Sequence, residues 1–188
     1  MKRSKAKVAL VSFSAVSLII LAVAFTSPGF ETHINSRTIN APEHVVWAVI
    51  SDVGNYHRYA TGLSGSTIIS GEGEGLIRSC SDESGSWKET CTSWNEGRSY
   101  SFDVDVGSGY PYPFKKFAGT WSLSKLDSDV TDLTELAIEF EYQFPYRWMS
   151  WFYSDATHQF INEGNRTLLD NWESAINKNL VGLGTGRP

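Results

Sequence analysis

The C-terminal stretch from Pro145 to Leu180 constrains the fold most, because its pattern predicts one long amphipathic helix. Small or apolar residues recur at every fourth position, which is the spacing of a single helix face. The opposite face is polar and includes Asp155, Arg166 and Asp170. A helix of this length needs a large apolar surface to cover one side, and we expect a curved antiparallel sheet. The residues of the apolar row are Trp148, Phe152, Ala156, Phe160, Gly164, Leu168, Trp172 and Ile176.

Gly164 interrupts this apolar row. A glycine inside a helix costs about 1 kcal/mol relative to alanine. Two explanations are open at this point. Either the helix is bent or broken at Gly164, or a ligand or a strand presses against a gap in the helix face.

The chain before this helix shows the period-two alternation of strands. The pattern predicts a strand from Glu31 to Asn40, two short helices between Pro42 and Tyr59, and then about six consecutive strands. Antiparallel strands with helices on one face indicate an α+β architecture. The last strand is the most regular, because its apolar residues alternate with mainly acidic ones; they are Leu136, Ile138, Phe140, Tyr142 and Phe144.

The N-terminus has the composition of a membrane anchor or a signal peptide. Met1 to Lys7 is basic, and Val8 to Phe25 is an uncharged run of 18 residues. That length is the lower limit for a helix that spans about 30 Å of hydrocarbon, which favours an uncleaved single-pass transmembrane helix. Cleavage remains an alternative, since Ala22-Val23-Ala24 resembles a signal-peptidase site. Under both interpretations the basic flank stays in the cytoplasm and the domain lies on the extracytoplasmic side. The predicted divisions are an anchor or signal at 1–27, a linker at 28–33, a domain at 34–180 and a tail at 181–188.

The charge balance argues against nucleic-acid binding. The chain has 16 Lys and Arg against 21 Asp and Glu, and four of the basic residues lie among the first seven positions. The remainder therefore carries 12 basic against 21 acidic residues, whereas nucleic-acid binding requires a basic surface. Seven Trp, eight Tyr and ten Phe suit either a bulky core or an apolar cavity lined by flat side chains.

The two cysteines, Cys80 and Cys91, flank a predicted hairpin turn at Gly85-Ser86. A two-residue turn there places Cys80 opposite Cys91, within reach of a disulfide. An oxidising compartment favours the disulfide, and a pair of buried thiols is the alternative. The spacing excludes a CxxC redox centre, and no four-ligand zinc set is present.

Motifs for catalysis and metal binding are not evident. Asp155 and His158 stand one helical turn apart, which is typical of a surface pair. There is no Ser-His-Asp order or nucleophile elbow, so we predict no metal and no cofactor. The glycosylation sequon Asn165-Arg166-Thr167 falls inside the helix, and we interpret it as accidental. The four histidines, which lack metal-binding spacing, are His33, His44, His57 and His158.

Several motifs occur in order along the chain and together resemble a known family. They are Ile39-Asn40-Ala41-Pro42-Glu43, Val46-Trp47-Ala48-Val49-Ile50-Ser51-Asp52, Gly75-Leu76-Ile77-Arg78, Trp87-Lys88-Glu89, Arg98-Ser99-Tyr100-Ser101-Phe102 and Gly119-Thr120-Trp121. This set resembles the START-like superfamily, in its polyketide cyclase/dehydrase branch, over roughly residues 34 to 180. The resemblance implies a helix-grip fold, in which a curved sheet of about six to seven strands wraps around the long C-terminal helix. It also implies a deep cavity between them for a hydrophobic ligand.

The resemblance further implies that Arg78 and Glu89 point into this cavity. Charges in an apolar cavity need each other, water or the polar head group of a ligand. A surface ion-pair network on the outer face is the alternative. A strict two-residue turn would set Asp82 opposite Glu89, an unfavourable like-charge pair that a bulge or a shifted register must relieve. The expected ligand-binding residues are Arg78, Glu89, Tyr100, Phe102, Trp121, Phe140, Tyr142, Phe160 and Gly164.

Three functions are open on this basis. The first is a membrane-tethered domain that binds a hydrophobic small molecule or lipid. The second is a cyclase or dehydratase that uses Arg78 and Glu89 for acid/base chemistry, aided by Tyr100 or Tyr142. The third is an interaction or assembly domain whose aromatic side chains fill the space. The aromatic cluster Trp148 to Tyr153 fits a cavity lid, a patch on the bilayer or a partner site, and the sequence names no protein partner.

Overall fold

The structure, a computed structural model, describes residues 16–107, 109–126 and 132–185, with side chains up to residue 180. Its helices are α1 (16–24), α2 (Glu43–Ile50), a 3-10 helix (Val53–Arg58) and α3 (Arg147–Thr185). Its strands are β1 (Glu31–Ile39), β2 (Gly65–Ser70), β3 (Ile77–Ser81), β4 (Ser86–Asn95), β5 (Ser99–Val104), β6 (Lys116–Leu126) and β7 (Leu133–Gln143).

The seven strands form one antiparallel sheet in the order β1-β7-β6-β5-β4-β3-β2. Strands β2 to β7 follow one another as a meander, and β1 pairs with β7 along its whole length. The longest pairing joins β6 to β7, from Lys116 opposite Gln143 to Leu126 opposite Leu133. The predicted α+β class, the strand number and the long closing helix are confirmed.

The alternation in β7 produces one dry and one wet face. Leu136 and Ile138 are fully buried, whereas Glu139 and Glu141 are exposed. The dry face belongs to two apolar clusters. The larger one joins the sheet to α2 and to the C-terminal half of α3, and the smaller one lies around Tyr142, Phe144 and Ile161; the α3 residues of the larger cluster are Leu168, Leu169, Trp172 and Ile176.

Helix α3 runs without a break from Arg147 to Thr185, so the alternative of a helix broken at Gly164 is wrong. The predicted apolar row is buried only in its C-terminal half. Phe152 is 74% exposed and Phe160 is 67% exposed, whereas Trp172 and Ile176 are fully buried. Helical periodicity defines a face but does not say how much of that face meets the sheet.

Polar side chains fasten α3 to the edge strand β1. The amide of Asn35 donates to Asn162 Oδ1 at 2.7 Å and accepts from Asn165 Nδ2 at 2.9 Å. About two turns further along α3, Arg37 Nη1 donates to Glu173 Oε2 at 3.0 Å and also bonds Asp170. This seam fixes one side of α3 and leaves its other side facing the concave sheet.

The boundaries of the domain differ slightly from the prediction. Strand β1 begins at Glu31, inside the predicted linker, and α3 extends into the predicted tail. Residues 8–15 of the apolar run lie outside the described residues, and 16–24 of it form α1, with mostly exposed apolar side chains. Within the described ranges, no helix combines the length and the apolar character needed to cross a bilayer.

Candidate functional site

A cavity of about 430 Å³ lies between the concave face of the sheet and the N-terminal half of α3. Its walls draw on both apolar clusters, and its volume falls within the range of small-molecule sites. The aromatic side chains therefore line this space without filling it, and the alternative of a filled core is wrong. A second depression, at Asp170, Glu173 and Lys178, is formed by α3 residues alone and cannot enclose a ligand.

Most of the predicted binding residues line this cavity, but Tyr100 and Tyr142 do not. Tyr100 is covered by the stacked rings of Trp94 and Trp121, and its hydroxyl donates to the carbonyl of Ile50 at 2.9 Å. The hydroxyl of Tyr142 donates to Glu31 Oε2 at 3.0 Å on the β1 side of the domain. Both rings are buried beside the cavity wall, so their predicted roles are wrong. The predicted residues that do line it are Arg78, Glu89, Phe102, Trp121, Phe140, Phe160 and Gly164.

Arg78 and Glu89 form a buried ion pair in the cavity wall. The register of β3 and β4 sets them directly opposite each other. Arg78 Nε and Nη2 both donate to Glu89 Oε2, at 2.8 and 2.6 Å, and Arg78 is 1% exposed. The remaining carboxylate oxygen, Oε1, accepts from Trp87 Nε1 at 2.8 Å. The alternative of a surface ion-pair network is therefore wrong.

Aromatic rings surround the guanidinium group of Arg78. Its central carbon lies 4.0 Å from the ring centroid of Phe102 and 4.6 Å from that of Tyr56, both cation–π distances. Burial alone would lower the pKa of Arg78, but the carboxylate of Glu89, together with the acidic groups of Cys80, Tyr56 and Tyr100, outweighs burial and the pKa rises. Burial raises the pKa of Tyr56, which therefore stays a neutral phenol. The Arg78–Glu89 pair itself is neutral, and Asp82 adds a second carboxylate to the cavity lining.

The loop between β5 and β6 supplies two tyrosines that sequence reasoning missed. Tyr110 packs against Trp87, with ring centroids 5.5 Å apart, and Tyr112 donates a hydrogen bond to Asp82. Burial and this bond raise the pKa of Tyr112 to about 12. The loop was predicted only as a turn rich in Gly, Pro and Tyr, and composition does not say that such a turn folds back over the sheet. Tyr56, on the 3-10 helix, was missed for the same reason.

The cysteines do not form the predicted disulfide. Both are free and buried. Strand register places Cys80 opposite Trp87 and Cys91 opposite Phe102, because the connection from β3 to β4 is a four-residue loop from Asp82 to Gly85. The same register removes the predicted clash between Asp82 and Glu89. Burial raises the pKa of both thiols.

His158 and Asp155 lie outside the cavity lining, whereas Asn165 belongs to it. His158 Nε2 approaches Glu31 Oε2 at 3.5 Å, and this contact replaces the predicted pairing with Asp155. Asn165 is buried and hydrogen-bonded to Asn35, which agrees with an accidental sequon. In the described ranges, no three His, Cys, Asp or Glu side chains come together in a way that could hold a metal ion.

Comparisons with known proteins support the same fold. A family model described as polyketide cyclase / dehydrase and lipid transport matches residues 34–176. A Thermus thermophilus protein superposes with a TM-score of 0.63 at 16% identity, over 79% of this chain and 99% of that one. The Zhui aromatase/cyclase of a Streptomyces species gives 0.64 at 14%, over 81% and 96%. The protein Ara h 8.0201 gives 0.60 at 13%, over 80% and 99%. No curated protein matches the chain.

Proposed function

The chain belongs to the polyketide cyclase/dehydrase and lipid transport family, within the START-like superfamily, and on that basis we propose that it binds a hydrophobic small molecule or lipid under α3. The observation that carries this proposal is the cavity of about 430 Å³ whose walls are mainly aromatic and aliphatic. Sites of this size with a few convergent polar groups are typical of ligand binding. Burial of an apolar ligand stabilises the complex by roughly 25 cal/mol per Å² removed from water.

The ion pair restricts the polar end of the ligand. Both oxygens of Glu89 already accept hydrogen bonds, and a ligand carboxylate would have to compete with Glu89 for Arg78. Arg78 Nη1 is the least engaged donor, because its bond to the carbonyl of Val53 is long at 3.3 Å. A neutral acceptor, such as a carbonyl or an ether oxygen, fits this position better than a second anion.

The same geometry supports binding over acid/base catalysis. A general base must lie within hydrogen-bond reach of the substrate proton, and the carboxylate of Glu89 is instead oriented toward Arg78 and Trp87, from which it accepts hydrogen bonds. The Streptomyces protein with the same fold is an aromatase/cyclase, but it is only 14% identical to this chain. We therefore assign Arg78 and Glu89 to orientation of the ligand.

We also propose that the apolar run from Val8 to Phe25 tethers the domain to a membrane, on the extracytoplasmic side. The basic residues from Met1 to Lys7 support this orientation, because positive flanks stay in the cytoplasm. Protease digestion of intact and of permeabilised spheroplasts tests this orientation. The domain should be cut in intact spheroplasts, and protection there would overturn the orientation.

The ligand can be identified by mass spectrometry of organic extracts from the purified full chain. The control must separate cavity ligands from lipids that adhere to the anchor. Gly164 lines the cavity with open space beside it, so Gly164→Phe should block the cavity, whereas Arg166→Phe adds the same ring to an exposed position on the same helix. A compound present in the wild type and in Arg166→Phe, but depleted in Gly164→Phe, is the cavity ligand. Identical extracts from all three proteins would contradict the proposal.

A further inference from the structure

An exposed aromatic surface surrounds the start of α3. We call it the mouth surface, and its members are Phe25, Tyr146, Trp151, Phe152, Tyr153 and Phe160, which are between 45% and 74% exposed. Water is a poor solvent for such a group, and contiguous exposed apolar patches mark interaction sites. The question is which partner covers it.

The arrangement of these side chains favours a fluid apolar phase over a protein partner. Trp151, Phe152 and Tyr153 are consecutive, so they project at steps of about 100° and cover more than half of the helix circumference. A protein partner usually packs against one stripe of a helix. A bilayer interface covers every side of a helix end, and tryptophan and tyrosine are enriched at that depth.

Basic residues accompany the aromatic ones, although the domain as a whole is acidic. Arg147 donates from its backbone N to the carbonyl of Thr26 at 2.7 Å, and Lys115 Nζ donates to Ser27 Oγ at 3.3 Å. Lys116 Nζ lies 5.8 Å from the ring of Phe30. Long cationic side chains beside aromatic rings suit the head-group layer of a membrane.

The end of the apolar run is fixed against this surface. The ring of Phe25, its last residue, packs on Tyr146 with centroids 5.7 Å apart, and Thr26 is hydrogen-bonded to Arg147 by backbone and side chain. If the apolar run spans the bilayer, its last residue lies at the membrane interface, and the start of α3 therefore lies at that same depth. This step rests on the proposed tether.

The cavity opens on the same surface. Tyr153, Ala156 and Phe160 line the cavity and are also exposed, so this stretch of α3 borders the opening. Tyr153 lies about 9 Å along the helix from Arg147, at 1.5 Å per residue. We propose that the mouth surface docks on the bilayer interface, so that a membrane-resident amphiphile passes between the lipid and the cavity without crossing water.

Depth-dependent quenching in vesicles tests this proposal on the full chain. Phe152→Cys, labelled with bimane, reports the mouth surface in phosphatidylcholine/phosphatidylglycerol vesicles that contain nitroxide-labelled acyl chains. Ile20→Cys reports the apolar run, and Asn177→Cys reports an exposed site near the far end of α3. The native Cys80 and Cys91 are buried and should take up little bimane. Labelling of the unsubstituted protein measures this background.

We expect quenching at position 152 at least threefold above that at 177. Quenching at 20 but not at 152 would overturn the docking surface and leave the tether intact. A protein partner that covers the mouth surface would give this same result. Quenching at 152 without quenching at 20 would support the surface and reject the tether. Quenching at neither position would overturn both.

Discussion

Replacing Glu89 by glutamine removes one charge from a buried ion pair and keeps the shape of the side chain. Arg78 is 1% exposed, and Glu89 Oε2 accepts two of its N–H groups at 2.8 and 2.6 Å. Breaking a buried pair by removing one partner costs about 3–5 kcal/mol, because the remaining charge stays buried. Glutamine keeps one acceptor oxygen, and the rings of Phe102 and Tyr56 still face the cation. We therefore expect a loss near the lower end, about 3 kcal/mol.

Urea unfolding of the full chain in mild detergent, followed by circular dichroism, measures this loss by linear extrapolation. Glu173→Gln is the matched control, since Glu173 pairs with Arg37 at 3.0 Å and its side chain is 39% exposed; we expect less than about 1 kcal/mol there. The double variant Arg78→Met/Glu89→Leu removes both charges and should recover most of the stability. A loss for Glu89→Gln no larger than for Glu173→Gln would show that the guanidinium is solvated and would refute the reasoning.

Three further predictions concern single features of the structure. Gly164→Ala should raise the free energy of unfolding by about 1 kcal/mol, because no heavy atom lies within 4 Å of the added Cβ; a lower melting temperature would contradict this. The pKa of Tyr112 is raised to about 12 from an ordinary value near 10, so its neutral form stabilises the fold below pH ~10 and this contribution is lost as pH rises toward ~12. Tyr112→Phe should therefore flatten the alkaline loss of stability in a pH series, and an unchanged slope would count against it. Trp151→Ser/Phe152→Ser should slow loading from vesicles several-fold without altering the cavity, measured by transfer of a fluorescent lipid; an unchanged rate would argue against uptake through the mouth surface.

The fold could be predicted from sequence because its main signals are local. The alternation of apolar and polar residues in β7, and the recurrence of apolar residues at every fourth position in α3, each identify an element and its apolar face. The placement of Arg78 and Glu89 on one face also followed from strand alternation, which a shift of register by an even number of residues preserves.

The cysteine hairpin shows why the rest could not be predicted. Gly85-Ser86 is a signal for a two-residue turn, but Asp82 Oδ1 accepts from the backbone N of Ser84 and of Gly85, and this stabilises a four-residue loop. The longer loop shifts the pairing, separates the cysteines and brings Arg78 opposite Glu89. A turn of this kind depends on competition between two local hydrogen-bond patterns, which residue preferences alone do not decide.

The extent of the cavity could not be predicted from the sequence for a different reason. Phe160 belongs to the same periodic row as Trp172, yet one borders an opening and the other is fully buried. The difference depends on the Tyr110 and Tyr112 loop and on the polar seam to β1, which are contacts over long sequence separations. Periodicity carries no information about such contacts.

The cavity under α3 should take one apolar ligand per chain. Native mass spectrometry of the delipidated full chain, with a short-chain quinone as the probe, tests it directly. We predict one bound molecule per chain in the wild type and in Arg166→Phe, and at least a tenfold loss of occupancy in Gly164→Phe. No binding to the wild type, or equal binding to Gly164→Phe, would contradict the claim.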